Sequence, residues 1–156
     1  MNIADLALWA LVVALGIQTG SAIYEARVIV PLWSSAPPES VIAFFAQPLR
    51  PDAGHRLWII LTPTTSVIVL VNLFFATVDT GLNRAWWLGS SIVAVGILIA
   101  TFAYFVPVLL SLPRISELPR ESAIRKVRLW RTLNYFRAVL LVCSWLAALK
   151  AFSYGG

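Results

Sequence analysis

Charge is what this sequence has least of. Only 12% of its 156 residues are charged while 60% are hydrophobic, and the mean hydropathy is +0.83. Soluble domains run near a quarter charged and half apolar, so this chain cannot solvate a globular surface. Cysteine and histidine are scarcer still. A single cysteine, Cys143, excludes an internal disulfide or a thiolate cage within one chain, and a single histidine, His55, argues against a multi-histidine metal or haem site. No metal and no cofactor is expected. Also missing are a Walker loop, a Gly-rich nucleotide loop, a nucleophile elbow and a His-Glu-x-x-His pattern. No internal repeat or low-complexity segment is evident along the chain.

What the sequence does have is long apolar runs. A helix needs about 20 mostly apolar residues to cross the hydrocarbon. Four stretches qualify, roughly 6–32, 57–78, 85–112 and 128–152. The expected fold is an all-α membrane protein, a four-transmembrane-helix up-down bundle forming one domain over 1–156. No basic residue precedes the first run, so it reads as a retained helix and not a cleaved signal peptide. Tryptophans prefer membrane interfaces. Trp9, Trp86, Trp87 and Trp145 fall at one end of alternating helices and Trp33, Trp58 and Trp130 at the other, as two aromatic belts would.

The net charge of +5 comes from twelve basic residues, ten of them arginine. Most lie in the loops 33–56 and 113–128. By the positive-inside rule both loops are cytoplasmic and both termini non-cytoplasmic, in a multi-pass protein of the cell inner membrane. The partner implied is membrane lipid, and no nucleic acid. Within the proline-rich first loop, Val41–Ala46 is too short to span and is expected to lie at the interface as a lid. Pro119 followed by Glu121 marks a helix start, so the fourth helix is expected to begin before it enters the membrane.

The informative residues are polar ones inside the apolar runs. A Glu or Arg at a bilayer centre costs at least roughly 3 kcal/mol on insertion scales, so such residues usually face protein or a watery cavity. At 1.5 Å per residue Glu25 is about 12 Å below Trp33, and Arg137 is about 10 Å below Trp130. An acid and a base at matching depth in the first and fourth helices make a pair. It either supplies a site or cancels two burial costs and fixes helix register. Arg27, on another face from Glu25, reads as snorkelling. Trp130, Asn134, Arg137 and Leu141 form one stripe. Thr101, Tyr104 and Val108 form a second, Gln18, Ala22 and Glu25 a third, and Thr62, Thr65, Ser66 and Asn72 give the second helix its own. Together they suggest a cavity opening to the cytoplasmic half, beneath His55 and near Tyr24 and Trp58. Tyr104 and Asn134 are interhelical hydrogen bonders or catalytic groups, and His55 is an interfacial loop residue or a general base.

Pro31, Pro63 and Pro107 each remove an N–H. In an α-helix they free the carbonyls of Arg27, Ile59 and Ala103. Gly16 and Gly20 make a G-x-x-x-G that permits close helix contact, within the bundle or between subunits.

The end of the first helix (Tyr24-Glu25 through Pro31-Leu-Trp33), Thr101-Phe-Ala-Tyr104-Phe-Val-Pro107 in the third and Trp130-Arg-Thr-Leu-Asn134-Tyr-Phe-Arg137 in the fourth together resemble the anthrone-oxygenase-like family of small four-helix membrane proteins. The resemblance covers nearly the whole chain, and the Trp-x-x-x-polar-x-x-Arg stripe is its most specific part. It implies, for the characterised branch, oxidation of an anthrone to an anthraquinone by O₂ without metal or flavin. On that reading Arg137 stabilises the oxyanion, Asn134 or Tyr104 orients the substrate, and Glu25 or His55 takes the acidic C–H proton. Tyr24, Trp58, Thr101 and Trp130 would contact the bound molecule. Against an enzyme or binding protein for a flat aromatic ligand stands a non-enzymatic accessory subunit, in a homo-oligomer or beside another membrane subunit. A small transporter ranks last, because a candidate arginine neutralises the glutamate.

Overall fold

A computed structural model describes residues 2–47 and 50–154, for 50–55 the backbone alone. Among the described residues there is no strand, and four helical stretches are long and apolar enough to cross a membrane: Ile3–Ser34, Arg56–Val78, Arg84–Glu117 and Arg120–Phe152. The chain is an all-helical, multi-pass membrane bundle.

The first span is helix α1 (Ile3–Tyr24), a π-helical turn (Glu25–Ile29) and helix α2 (Val30–Ser34). Its start is fixed by a reciprocal cap. The Asn2 side chain accepts from the Asp5 N–H at 2.8 Å, while the Asp5 carboxylate accepts from the Asn2 N–H at 2.9 Å. Helix α3 (Glu39–Phe45) follows, then α4 (Arg50–Val78), which carries the second span. The third is α5 (Arg84–Ala100), a second π turn (Thr101–Phe105), α6 (Val106–Ser111) and a 3₁₀ turn (Leu112–Glu117). Helix α7 (Arg120–Phe152) is the fourth. It starts where the sequence signals a helix, although Pro119 is the cap and not the first helical residue. Arg120 pairs with Glu39 at 2.6 Å, tying α3 to the start of α7, and both side chains are well exposed. Such a pair contributes little, on the order of 0–1 kcal/mol.

Packing is cyclic. Helices α1 and α5 each rest on both α4 and α7. Polar links hold neighbours together at the end opposite the basic loops. Ser90 donates to the Ser144 carbonyl at 2.8 Å and Ser144 to the Ser90 carbonyl at 2.9 Å. Trp87 Nε1 donates to Asn72 Oδ1 at 3.0 Å, and Asn72 in turn donates to the Ile68 carbonyl. In hydrocarbon, where helix association gains nothing from water release, such bonds and close packing hold spans together. Gly16 is part of that packing, since a Cβ there would come within 3.1 Å of Trp145 Nε1. Gly20 is different: a Cβ would meet nothing. The two glycines of the G-x-x-x-G therefore do separate things.

The two halves of the bundle carry matching features at matching positions. Both π turns sit at the same distance before a Val-Pro step, Glu25–Ile29 before Val30-Pro31 and Thr101–Phe105 before Val106-Pro107. The same offset aligns Gly20 with Gly96, Ile23 with Ile99, Ser35 with Ser111, Pro37 with Pro113 and Ser40 with Ser116. Aligning Trp58 with Trp130 then matches the inward positions Thr62, Thr65, Val69, Asn72 and Ala76 with Asn134, Arg137, Leu141, Ser144 and Ala148. The two helical hairpins thus match in pattern at these positions. Their identities are spread thinly, which is why composition alone does not betray them.

The π turns also move the orphaned carbonyl. In a π-helix the carbonyl of residue i pairs with the N–H of residue i+5, not i+4. Val30 N–H accordingly donates to the Glu25 carbonyl, and the next acceptor, left empty by Pro31, is Ala26. It is Ala26, not Arg27 as an α-helical register implies, whose carbonyl is taken by another span: Tyr135 Oη donates to it at 3.0 Å. Helix α4 runs straight through Pro63 without such a turn.

Two apolar clusters fill the bundle. One joins Leu8, Leu11 and Leu15 to Val69, Trp87, Ile97 and Leu141. The other joins Val30 and Trp33 to Val41, Phe44, Phe105, Leu112, Val127 and Trp130. Three tryptophans expected in interfacial belts are thus interior residues. Trp33, Trp87 and Trp130 are buried, and Trp33 meets Trp130 edge-on at 5.1 Å. Trp9 and Trp86 are exposed, as belt residues are. The segment Val41–Ala46 contributes most of α3, which tucks Val41 and Phe44 into the second cluster and closes that end.

Candidate functional site

The charge pair expected from depth arithmetic is made. Arg137 Nη2 donates to Glu25 Oε2 at 3.0 Å, and both side chains are largely removed from the surface. Glu25 is the first residue of the first π turn, so the wider turn presents its carboxylate to α7. Arg137 continues the α7 stripe one turn beyond buried Asn134. Its guanidinium stacks over the Phe105 ring at 4.6 Å and near Trp58 at 5.7 Å. Cations within about 6 Å of a ring centroid are held by its negative face. Arg137 is thus gripped by one carboxylate and two rings, yet its Nε is buried with no hydrogen-bond partner.

Beside this pair lies a groove of about 370 Å³, bounded by α5 and the second π turn on one wall and by α7 on the other. Gly96, Ala100 and Tyr104 line the first wall, and Leu133, Phe136 and Arg137 the second. Among the described residues that line it, Arg137 is the one charged group. Volumes of about 300–1,000 Å³ are typical of small-molecule sites, which are mostly apolar with few polar groups.

The expected site residues divide. Glu25, Arg137, Trp58 and Tyr104 come together around the pair and the groove. Asn134 is buried inside the bundle with Oδ1 unpartnered. Trp130 is part of the aromatic packing, 5.8 Å from Phe105, and its Nε1 donates to the Phe105 carbonyl. Thr101 is buried with its hydroxyl donated to the Ile97 carbonyl at 2.8 Å. Tyr24 is exposed on the outside of the bundle. The His55 side chain lies outside the described residues. Among the described residues, Trp33, Phe105 and Trp130 and their neighbours pack between the polar stripes toward the basic loops, and the open volume beside Arg137 lies between the third and fourth spans.

Phe105, Gly96 and Phe136 escaped the sequence reading. Spacing carries the signal: Gly96, Ala100 and Tyr104 recur at i, i+4 and i+8, small side chains running up to an aromatic hydroxyl. Among the described residues no group of three His, Cys, Asp or Glu side chains is placed to hold a metal ion. No family model, no curated protein and no solved structure matches the chain.

Proposed function

We propose that this protein binds, and in the presence of O₂ oxidises, a flat apolar molecule with one acidic position, of anthrone or quinone type, beside Arg137. The proposal includes membership of the anthrone-oxygenase-like family. It also includes an up-and-down arrangement in a bacterial-type inner membrane with the basic loops cytoplasmic and both termini on the other side, as arginine placement favours. The observation that carries it is that one side chain, Arg137, belongs both to a buried ion pair and to the wall of an apolar groove.

The chemistry follows from charge. Ion pairs in a low-dielectric setting stay neutral as a unit, and adding a free anion there is costly. A neutral acid avoids that cost by giving its proton to Glu25. Its oxyanion then takes the carboxylate's place at Arg137, and the net charge does not change. An anthrone enolate formed this way is open to O₂, which accepts the electrons as anthrone and O₂ become anthraquinone and water. No cofactor enters the scheme. Tyr104, on the groove wall, would orient a carbonyl oxygen, and Trp58 and Phe105 hold the cation.

A second reading has its own support. The Glu25–Arg137 hydrogen bond is fully formed and anchors a π turn, which suits a register device in a non-enzymatic subunit of a homo-oligomer or larger membrane complex. Anthrone titrated into the detergent-purified protein, followed by absorption and oxygen uptake, separates the two. Saturable binding lost in the Glu25→Gln/Arg137→Met double variant, with the helical CD spectrum retained, supports the site. No binding by the wild-type chain leaves the accessory role.

A further inference from the structure

We infer that the groove beside Arg137 is loaded sideways from the hydrocarbon of the bilayer, across a threshold kept open by Gly96. This rests on the ligand-binding reading above and adds the route and the class of molecule that can take it.

The groove is walled by two neighbouring spans only, the third and the fourth, so its mouth is a seam on the outer surface of the bundle. Gly96 and Phe136 on its rim are exposed, Phe136 at 61%. Both belong to spans whose outward faces are apolar, Ile92, Ile99 and Val139 among them. Such faces meet lipid chains. Toward the basic end, among the described residues, buried rings stack above the pair: Trp33 against Trp130 at 5.1 Å and Trp130 against Phe105 at 5.8 Å, with Val41 and Phe44 of α3 in the same cluster. A molecule that reaches Arg137 through this groove therefore comes from the bilayer.

That route selects chemistry. A charged solute in hydrocarbon is heavily disfavoured, so the ligand arrives neutral. It must be apolar enough to dissolve in lipid and carry an oxygen that can replace the Glu25 carboxylate as acceptor from Arg137. A membrane-dissolved aromatic ketone, enol or quinone fits, whereas a water-borne aromatic carboxylate does not. Gly96 controls admission by having no side chain. A Cβ there would touch nothing within 4 Å, so a larger residue is accommodated by the fold while its bulk occupies the groove. Gly20, its counterpart in the first hairpin, is equally open but lines no part of this groove, which makes it the matched control.

Photolabelling tests this with the full chain in phosphatidylcholine vesicles. Benzophenone, a neutral bilayer-soluble diaryl ketone, is the first probe, and 4-benzoylbenzoate, its charged water-soluble relative, is the second. Adducts are mapped by mass spectrometry. Benzophenone is expected to concentrate on peptides bearing Tyr104, Phe136 and Leu140. Gly96→Phe should lower that labelling roughly tenfold, Gly96→Ala only slightly, and Gly20→Phe not at all. Labelling by 4-benzoylbenzoate should be weak throughout. Equal labelling in wild type and Gly96→Phe, labelling spread evenly over the lipid-facing surface as an acyl-chain-filled groove would give, or efficient labelling by the anionic probe overturns sideways loading. If anthrone binds the wild-type chain while Gly96→Phe leaves its binding unchanged, the route is wrong and the site stands. If anthrone does not bind at all, the site itself fails.

Discussion

The hydroxyl of Tyr135 in the fourth span donates at 3.0 Å to the carbonyl of Ala26 in the first, the one acceptor that Pro31 leaves without an N–H in a π-helical register. A backbone defect in one helix is thereby repaired by a side chain from another. Proline is tolerated inside membrane helices because such repairs are available.

Removing the donor should expose the defect. Tyr135→Phe is expected to lower stability by about 1 kcal/mol, the net worth of a hydrogen bond in this setting. In a Pro31→Ala background, where a backbone N–H returns, the same change should cost only a fraction of that. Reversible unfolding in mixed detergent micelles, followed by CD on the four proteins of the cycle, measures the difference. Equal costs in both backgrounds would refute the repair.

The ion pair predicts a different pattern. Glu25→Gln and Arg137→Met each leave a partner stranded, and breaking a buried pair from one side costs about 3–5 kcal/mol. Removing both partners should restore most of that loss, because no uncompensated charge is left in the bundle. The same unfolding assay reads all three variants. Additive losses would mean that the two residues do not share one interaction.

Much of this arrangement was legible beforehand, and the illegible part has identifiable causes. The spans and the Glu25–Arg137 pair could be read because burying charge in an apolar run has few physical solutions. The π turns could not, since proline signals a disturbed helix without saying which register absorbs it. Trp33 and Trp130 misled for a related reason: an indole suits an interface and a packed core equally well, and only neighbours such as Phe105 decide. The lateral groove was hidden because it is space left by Gly96 and Ala100, and missing side chains leave no pattern of their own.

The G-x-x-x-G motif should prove asymmetric. Gly16→Leu drives a side chain into the Trp145 indole, already within 3.1 Å of a Cβ, and overpacking of this kind costs about 1–3 kcal/mol. Gly20→Leu meets open space and should be close to neutral. Thermal stability of the two variants in one detergent decides it. Two equally harmful substitutions would place Gly20 in a contact between copies of the chain.

The hairpin repeat makes the boldest prediction. Under its alignment Glu25 corresponds to Thr101 and Arg137 to Thr65, so equivalent hairpins would set these two threonines across the seam between the second and third spans, as the ion pair is set across the opposite one. Both threonines are buried, and the Thr65 hydroxyl has no partner. If the two hairpins are truly equivalent, that seam can accept a second pair. Thr101→Glu or Thr65→Arg alone buries a lone charge and should cost at least about 2.5 kcal/mol, by insertion scales for a helix centre. The double substitution should be more stable than either single one, since the new carboxylate and guanidinium would meet as Glu25 and Arg137 do. The order of the three unfolding midpoints is the readout. A double variant no better than the worse single would show that the likeness of the hairpins stops at the backbone.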